Sequence, residues 1–268
     1  MRARPFEFSY DYQRADLEAR GPPFYAFASP AAHETIYTSS GMAAISALLL
    51  GSKTVIPSGQ LAALPGSYGE TIEFIQGYCR HLQLLYLRNP AIELQQPAGI
   101  QRILLLDSCA TAEAFDSTLR AAAKLDLIVF DTTCFSSGSR RIGRVINWAR
   151  RCRTPLVLVR SHTKLDSLGL EYGRLGSAVF VDAQSAATDR NRDFLNLLSA
   201  ETRKAIRLFG GAPLPAHFPP YVGRGMYRAL TDRRIAYMLL NSRRTARNLA
   251  KALGPAVHRI SLTHCTLR

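Results

Sequence analysis

Three short runs constrain this chain more than anything else in it: Ile103-Leu104-Leu105-Leu106, Leu127-Ile128-Val129-Phe130 and Leu156-Val157-Leu158-Val159. Each is apolar without interruption. A strand with one wet face alternates apolar and polar residues, whereas an unbroken run belongs to a strand covered on both faces, as in a parallel sheet. Helical spacing lies between the runs, at residues 111–124 and 142–151. Further helices are expected at 41–50, opened by Ser39-Ser40, and at 70–84, with further strands at 54–56 and 178–181. Strands that alternate with helices predict an α/β fold, a mostly parallel sheet with helices on both faces. Ligands of such sheets bind at the carboxyl ends of the strands, so the residues just after each run are the candidate site.

The residue of greatest interest there is Lys164, which follows the third run through Arg160-Ser161-His162-Thr163. Lysine is scarce: of 34 basic residues only Lys53, Lys124, Lys164, Lys204 and Lys251 are Lys. A lysine at a strand end can lose its proton and attack an aldehyde, or it can serve as a phosphate-binding or surface cation. Both readings stand on this segment alone. Ser39-Ser40-Gly41-Met42 opens a helix, which provides outward backbone N–H groups for an anion or simply an ordinary serine cap. Tyr68, in Tyr-Gly-Glu-Thr, is either a stacking ring or a core aromatic. Asp131 closes the second run, as a functional carboxylate or as a loop cap.

Taken in order, Thr38-Ser39-Ser40-Gly41-Met42, Tyr68-Gly69-Glu70-Thr71, Phe130-Asp131-Thr132-Thr133 and Ser161-His162-Thr163-Lys164 resemble the motifs of fold-type-I pyridoxal-phosphate enzymes. The match is to the cystathionine gamma-synthase and gamma-lyase family of cysteine and methionine metabolism. The resemblance implies an aspartate-aminotransferase-like large domain and pyridoxal 5'-phosphate as cofactor. Lys164 would carry it as a Schiff base and move the substrate Cα proton. Tyr68 would stack on the ring and assist proton transfer, Asp131 would hold the ring nitrogen, and Thr133 would also contact the cofactor. Ser40, Gly41, Met42, Ser161 and Thr163 would bind its phosphate. Tyr12 and Arg14 resemble a Tyr-x-Arg pair lent by a neighbouring subunit, which implies a homo-oligomer with shared active sites. The implied activity is β- or γ-elimination or replacement on an amino acid, by a lyase or transferase.

The chain also departs from that pattern. Asp107-Ser108 stands where the family has Asn-Pro, and Leu165-Asp166-Ser167 where it has Gly-His-Ser. Both point to an altered, specialised substrate. The expected organisation is an arm over 1–37, a cofactor-binding domain over 38–189, and a helical segment over 190–268 that begins a small C-terminal domain. Family members continue further and carry there an arginine for the substrate carboxylate. The alternative is therefore a catalytically incomplete subunit of a split enzyme, with a separate partner chain supplying the rest.

Charge is unevenly spread. Residues 190–268 hold 13 Arg and 2 Lys against Asp193, Glu201 and Asp232, so +12 of the chain's net +14 lies there. Without a nucleic-acid module, solvated helix faces account for this better than a DNA- or RNA-binding tail. Five cysteines, with no C-x-x-C pair, and scattered histidines disfavour a disulfide framework or a metal site. No run approaches the length needed to span a membrane, and no apolar region follows Met1-Arg2, so a cytoplasmic location is expected.

Overall fold

The computed structural model describes residues 7–9, 18–25, 33–95, 99–167, 174–182, 189–213, 225–253, 262–263 and 266–267. Its centre is a nine-stranded sheet. In chain order the strands are β1 (Glu7–Ser9), β2 (Glu18–Arg20), β3 (His33–Thr38), β4 (Gly59–Ala63), β5 (Leu82–Tyr86), β6 (Gln101–Asp107), β7 (Leu127–Asp131), β8 (Leu156–Ser161) and β9 (Gly176–Val181). In space the order is β1-β2-β3-β9-β8-β7-β6-β4-β5. Strands β5, β4, β6, β7 and β8 are mutually parallel. Strand β9 is antiparallel to both β8 and β3, so β3 runs with the parallel set. The carboxyl ends of β3, β4, β6, β7 and β8 therefore share one edge of the sheet.

The helices are α1 (Gly41–Val55), α2 (Gly69–Tyr78), α3 (Pro90–Glu93), α4 (Ala112–Thr118), α5 (Arg140–Cys152), α6 (Asp189–Leu208) and α7 (Gly225–Leu253). They divide between the two faces. Ile103, Leu105, Leu127, Val129, Val157 and Val159 pack with Ile45 and Leu48 of α1, Ile75 of α2 and Leu198 of α6. Leu104, Leu106, Ile128, Phe130, Leu156 and Leu158 pack with Phe115 of α4 and with Ile142, Val145 and Trp148 of α5. Successive strand residues point to opposite faces, so each unbroken run feeds both cores at once. Carried one step further, this parity sends Asp107, Asp131 and Ser161 to the α1 side and Arg160 to the α5 side. A short hairpin, β10 (Leu262–Thr263) and β11 (Thr266–Leu267), closes the described chain. Among the described residues no helix is long and apolar enough to cross a membrane.

Some local expectations change. Thr54 and Val55 continue α1, which stops at Ile56, whose N–H bonds to Ser52, and the strand comes after Pro57. Packing of α1 on the sheet overrides the strand preference of two β-branched residues. The helix expected over 70–84 ends at Tyr78, and Leu82–Tyr86 forms edge strand β5. The helix expected over 111–124 ends at Thr118; Ala121 instead gives its carbonyl to the Trp148 indole N–H at 2.9 Å. Within the first forty residues, His33–Thr38 is a full strand of the sheet, paired along its length with β9.

Candidate functional site

One edge of the sheet gathers almost everything the sequence marked. Thr38 ends β3 and its hydroxyl donates to the Ser40 carbonyl at 2.8 Å. Ser40 then caps α1, its Oγ accepting from the Ala43 N–H at 3.0 Å. Two glycines let this turn approach the strands. A Cβ on Gly41 would stand 2.7 Å from Cβ of Ser161, and one on Gly176 would stand 2.2 Å from the Ser40 carbonyl oxygen. The α1 N-terminus is thus pressed against the end of β8, with the Ser161 side chain facing the first turn. Amide N–H groups not used within a helix, together with the helix dipole, favour an anion there. Met42 meets the neighbouring helix, its sulfur accepting from the Thr71 hydroxyl at 3.7 Å.

Thr133 joins the next two strands. Its Oγ1 accepts from the Ser161 N–H at 3.0 Å, and its own N–H donates to Asp131 Oδ1 at 2.8 Å. Lys164 follows in an exposed turn, and Thr163 is half-buried beside it, its carbonyl bonded to Ser167. Tyr68 precedes α2 and is half-buried. Its phenol is pushed up to about 12, first by a hydrogen bond with Glu70 and then by burial, so it stays protonated. Tyr12 and Arg14 lie outside the described residues.

Asp107 and Asp131 are register partners on β6 and β7. Both are buried. Burial pushes each carboxyl up to about 7, and at Asp131 the neighbouring Asp107 charge adds to the rise. Their surroundings differ. Asp107 accepts the Tyr68 N–H on Oδ2 and the Cys109 N–H on Oδ1, both at 2.7 Å. Asp131 accepts the Thr133 N–H on Oδ1, and the Thr133 hydroxyl also hydrogen-bonds its carboxyl. Among the described residues no backbone donor reaches its Oδ2. Asp131 is therefore the carboxylate with capacity left for a cation.

Behind this edge lies a cluster that the sequence reading did not assemble. Arg160, fully buried, makes a two-pronged pair with Asp166, Nε to Oδ2 at 2.6 Å and Nη2 to Oδ1 at 2.7 Å. Its Nη1 donates to the carbonyls of Thr132 and Phe135, each at 2.8 Å. Asp166 Oδ2 also meets His162 Nδ1 at 2.7 Å, and His162 Nε2 meets Ser177 Oγ at 2.8 Å. Arg160 holds the Asp166 carboxyl well below the usual range, and burial holds His162 neutral. The Ser177–His162–Asp166 order is that of a hydrolase relay, but all three side chains are buried and Phe24 lies over the imidazole at 3.9 Å. Without access for a substrate, the cluster is structural. It fastens the turn carrying Lys164 to the loop carrying Thr133. The available signal was an arginine at the end of an apolar run with an aspartate six positions later.

No protein-family model matches the sequence, and no curated protein matches it. Solved structures do match. The aspartate aminotransferase of Trypanosoma cruzi superposes with a TM-score of 0.60 at 16% identity, over 83% of this chain and 62% of that one. The fold is that of the aminotransferases. The broad-specificity aminotransferase of Leishmania mexicana gives 0.60 at 15% identity, over 82% and 60%. An aromatic-amino-acid aminotransferase of Burkholderia pseudomallei, solved covalently bound to pyridoxal phosphate, gives 0.57 at 16% identity, over 88% and 64%. The chain spans less than two thirds of the length of each.

Proposed function

We propose that this chain is a pyridoxal-phosphate-dependent enzyme acting on an amino acid, with Lys164 as the residue that bonds the cofactor aldehyde. The observation that carries the reading is the convergence, on one sheet edge, of an anion-ready helix start, an exposed lysine and a buried carboxylate with spare capacity. A molecule with a phosphate at one end, an aldehyde, and a basic ring nitrogen at the other matches those three features. The covalent pyridoxal phosphate of the Burkholderia pseudomallei neighbour supports the same choice.

The first turn of α1, residues Ser40 to Met42, with Ser161 and Thr163, would hold the phosphate. Asp131 would hold the ring nitrogen protonated, and the cation would in turn lower the Asp131 pKa from its elevated value. Tyr68 would cover the ring. When bound, the cofactor supplies an electron sink for charge developing at the amino acid Cα. Lys164, released by the incoming amine, would move the proton at that Cα.

Elimination or replacement at the β or γ carbon is the favoured outcome, on the motif resemblance to the cystathionine gamma-synthase and gamma-lyase family. Amino transfer is the second reading, supported by the aminotransferase neighbours. An arginine for the substrate carboxylate would come from a separate partner chain that supplies a C-terminal domain. The chain would work as a cytoplasmic homo-oligomer.

The test starts from the purified protein mixed with pyridoxal phosphate, reduced with borohydride and mapped by mass. A phosphopyridoxyl group on Lys164, lost in Lys164→Ala, is the expected result; an undiminished adduct elsewhere refutes the assignment. Incubation with amino acids then separates the chemistries. Elimination releases a 2-oxo acid and ammonia unaided, whereas amino transfer requires an added 2-oxo acid acceptor.

A further inference from the structure

Cys109 and Cys134 belong to none of the roles above, yet they lie on the same edge of the sheet. Cys109 follows β6 by two residues and Cys134 follows β7 by three, so the turns after two neighbouring parallel strands bring them together. Their sulfurs are 3.4 Å apart and both residues are half-buried. The backbone around them is fixed: the Cys134 N–H donates to Ser108 Oγ at 3.0 Å, and the Cys109 N–H donates to Asp107 Oδ1. They are 25 residues apart in sequence and joined by no shared element, so this contact is a product of the fold.

We propose that Cys109 and Cys134 form a reversible disulfide by exchange with a low-molecular-weight disulfide of the glutathione class, and that this cross-link controls access of the cofactor to the Asp107–Asp131 end of the site. The second half rests on the function proposed above.

The chemistry closes without further reagents. The Cys134 thiolate attacks one sulfur of the small disulfide, forming a mixed disulfide and expelling one small thiolate. Cys109 then attacks the Cys134 sulfur and expels the second. The two protein S–H protons end on the two departing thiols, so the protein pair is oxidised by two electrons and the small disulfide is reduced by two. Exchange needs a thiolate as attacker. The Cys134 thiol has its pKa lowered, because Cys109 hydrogen-bonds to it, against the opposing effect of burial. Cys79 is buried and pushed up to about 11, and burial also raises Cys152.

The cross-link bears on the site because a disulfide requires sulfurs at about 2.05 Å, well inside their present separation. The bond ties the turn at Cys109 to the turn at Cys134. The Cys109 turn holds Asp107, and Asp107 holds the Tyr68 backbone. Cys109 also hydrogen-bonds to the Asp107 carboxyl, a bond that oxidation removes.

The experiment equilibrates the protein, free of cofactor, in glutathione redox buffers, quenches it with an alkylating reagent, and maps it by mass. One intramolecular cross-link between the Cys109 and Cys134 peptides is expected, reversed by dithiothreitol and absent in Cys109→Ser and Cys134→Ser. Glutathione remaining on Cys134 alone, or alkylation of both thiols in every buffer, overturns the site. Pyridoxal phosphate is then titrated into the reduced and oxidised proteins by absorbance, with affinity expected to fall at least tenfold on oxidation. A cross-link that leaves affinity unchanged overturns the control of access. A reduced protein that binds no cofactor overturns both the proposed function and the control of access, while the mass map still decides the disulfide itself.

Discussion

Replacing Asp107 by Asn should cost stability at low pH and cost none, or add some, at high pH. Two effects compete at this residue. The first is the cost of a charged carboxylate there, from burial and from repulsion by Asp131, its register partner on the adjacent parallel strand. Adjacent strands lie about 4.8 Å apart. Two unit charges about 5 Å apart at an effective dielectric constant of about 20 repel by roughly 3 kcal/mol. The second is hydrogen bonding. Asp107 accepts two backbone N–H groups, one on each oxygen. Asn offers a single acceptor oxygen, so one buried N–H loses its partner at a cost of about 1–3 kcal/mol.

The protons decide which effect shows. Both carboxyls are held near pKa 7 in the folded state, against about 3.9 in an unfolded chain. The native state therefore binds more protons than the unfolded state between about pH 4 and 7. The stability that comes from the raised pKa values is fully present below about pH 4, falls as pH rises, and is gone above about 7. In Asp107→Asn only Asp131 remains to titrate, and without its charged neighbour its pKa lies lower. At pH 5 the variant should be less stable than the parent by at most the lost hydrogen bond, about 1–3 kcal/mol, less the raised-pKa stability the parent has already lost by that pH. At pH 9 relief of repulsion and of burying the Asp107 charge should offset that loss or exceed it by about 2 kcal/mol. Urea unfolding of both proteins without cofactor, at the two pH values, measures the difference. An identical stability change at pH 5 and pH 9 would refute the coupling of the two carboxylates.

Three further outcomes are expected. Asp166→Ala strands the Arg160 guanidinium in the core and should cost about 3–5 kcal/mol by denaturant unfolding, whereas an Arg160→Met, Asp166→Leu double variant should regain most of it; equal losses in both would show that the pair is not the fastening. Gly41→Ala puts a Cβ 2.7 Å from that of Ser161 and should cost about 1–3 kcal/mol of stability, with weaker cofactor binding in a titration; unchanged binding would remove the α1 start from the phosphate site. Arg14→Ala and Lys164→Ala chains, each unable to hold the cofactor alone, should regain adduct formation when mixed, because one hybrid site then has both residues; absence of recovery would exclude the shared-site homo-oligomer. Point variants serve here better than removal of the first twenty residues, since Glu18 pairs with Arg20, Arg203 and Arg207 and its loss would unsettle α6 directly.

The parallel sheet was legible because runs such as Leu127 to Phe130 must be covered on both faces, and the two cores built from alternate residues of each run are the physical form of that signal. Strand β5 was not legible. At the sheet edge it alternates buried Leu82 with exposed Gln83, and its apolar spacing merges with that of α2. Strand β3 was hidden for a different reason: its only full-length partner, β9, is about 140 residues away, and no local pattern carries a pairing of that range. Residues at single strand ends, Asp131 and Ser161 among them, could be marked from the runs alone. The pairing of Asp107 with Asp131, of Cys109 with Cys134, and of Arg160 with Asp166 could not, since each depends on which strands are neighbours.

That dependence explains how the same fold is shared at 14–17% identity. The sheet fixes the direction of every side chain after a strand by parity, whatever the residues are. Asp107, Asp131 and Ser161 face α1 because they continue 103-105, 127-129 and 157-159 on that face. Arg160, one step out of phase, must face the other way, where a bare charge would be costly. Asp166 and the carbonyls of Thr132 and Phe135 are what make its burial tolerable. In satisfying that charge they also fix the one turn that carries Lys164. The position of the proposed reactive lysine is thus set from the opposite face of the sheet, by groups no substrate touches.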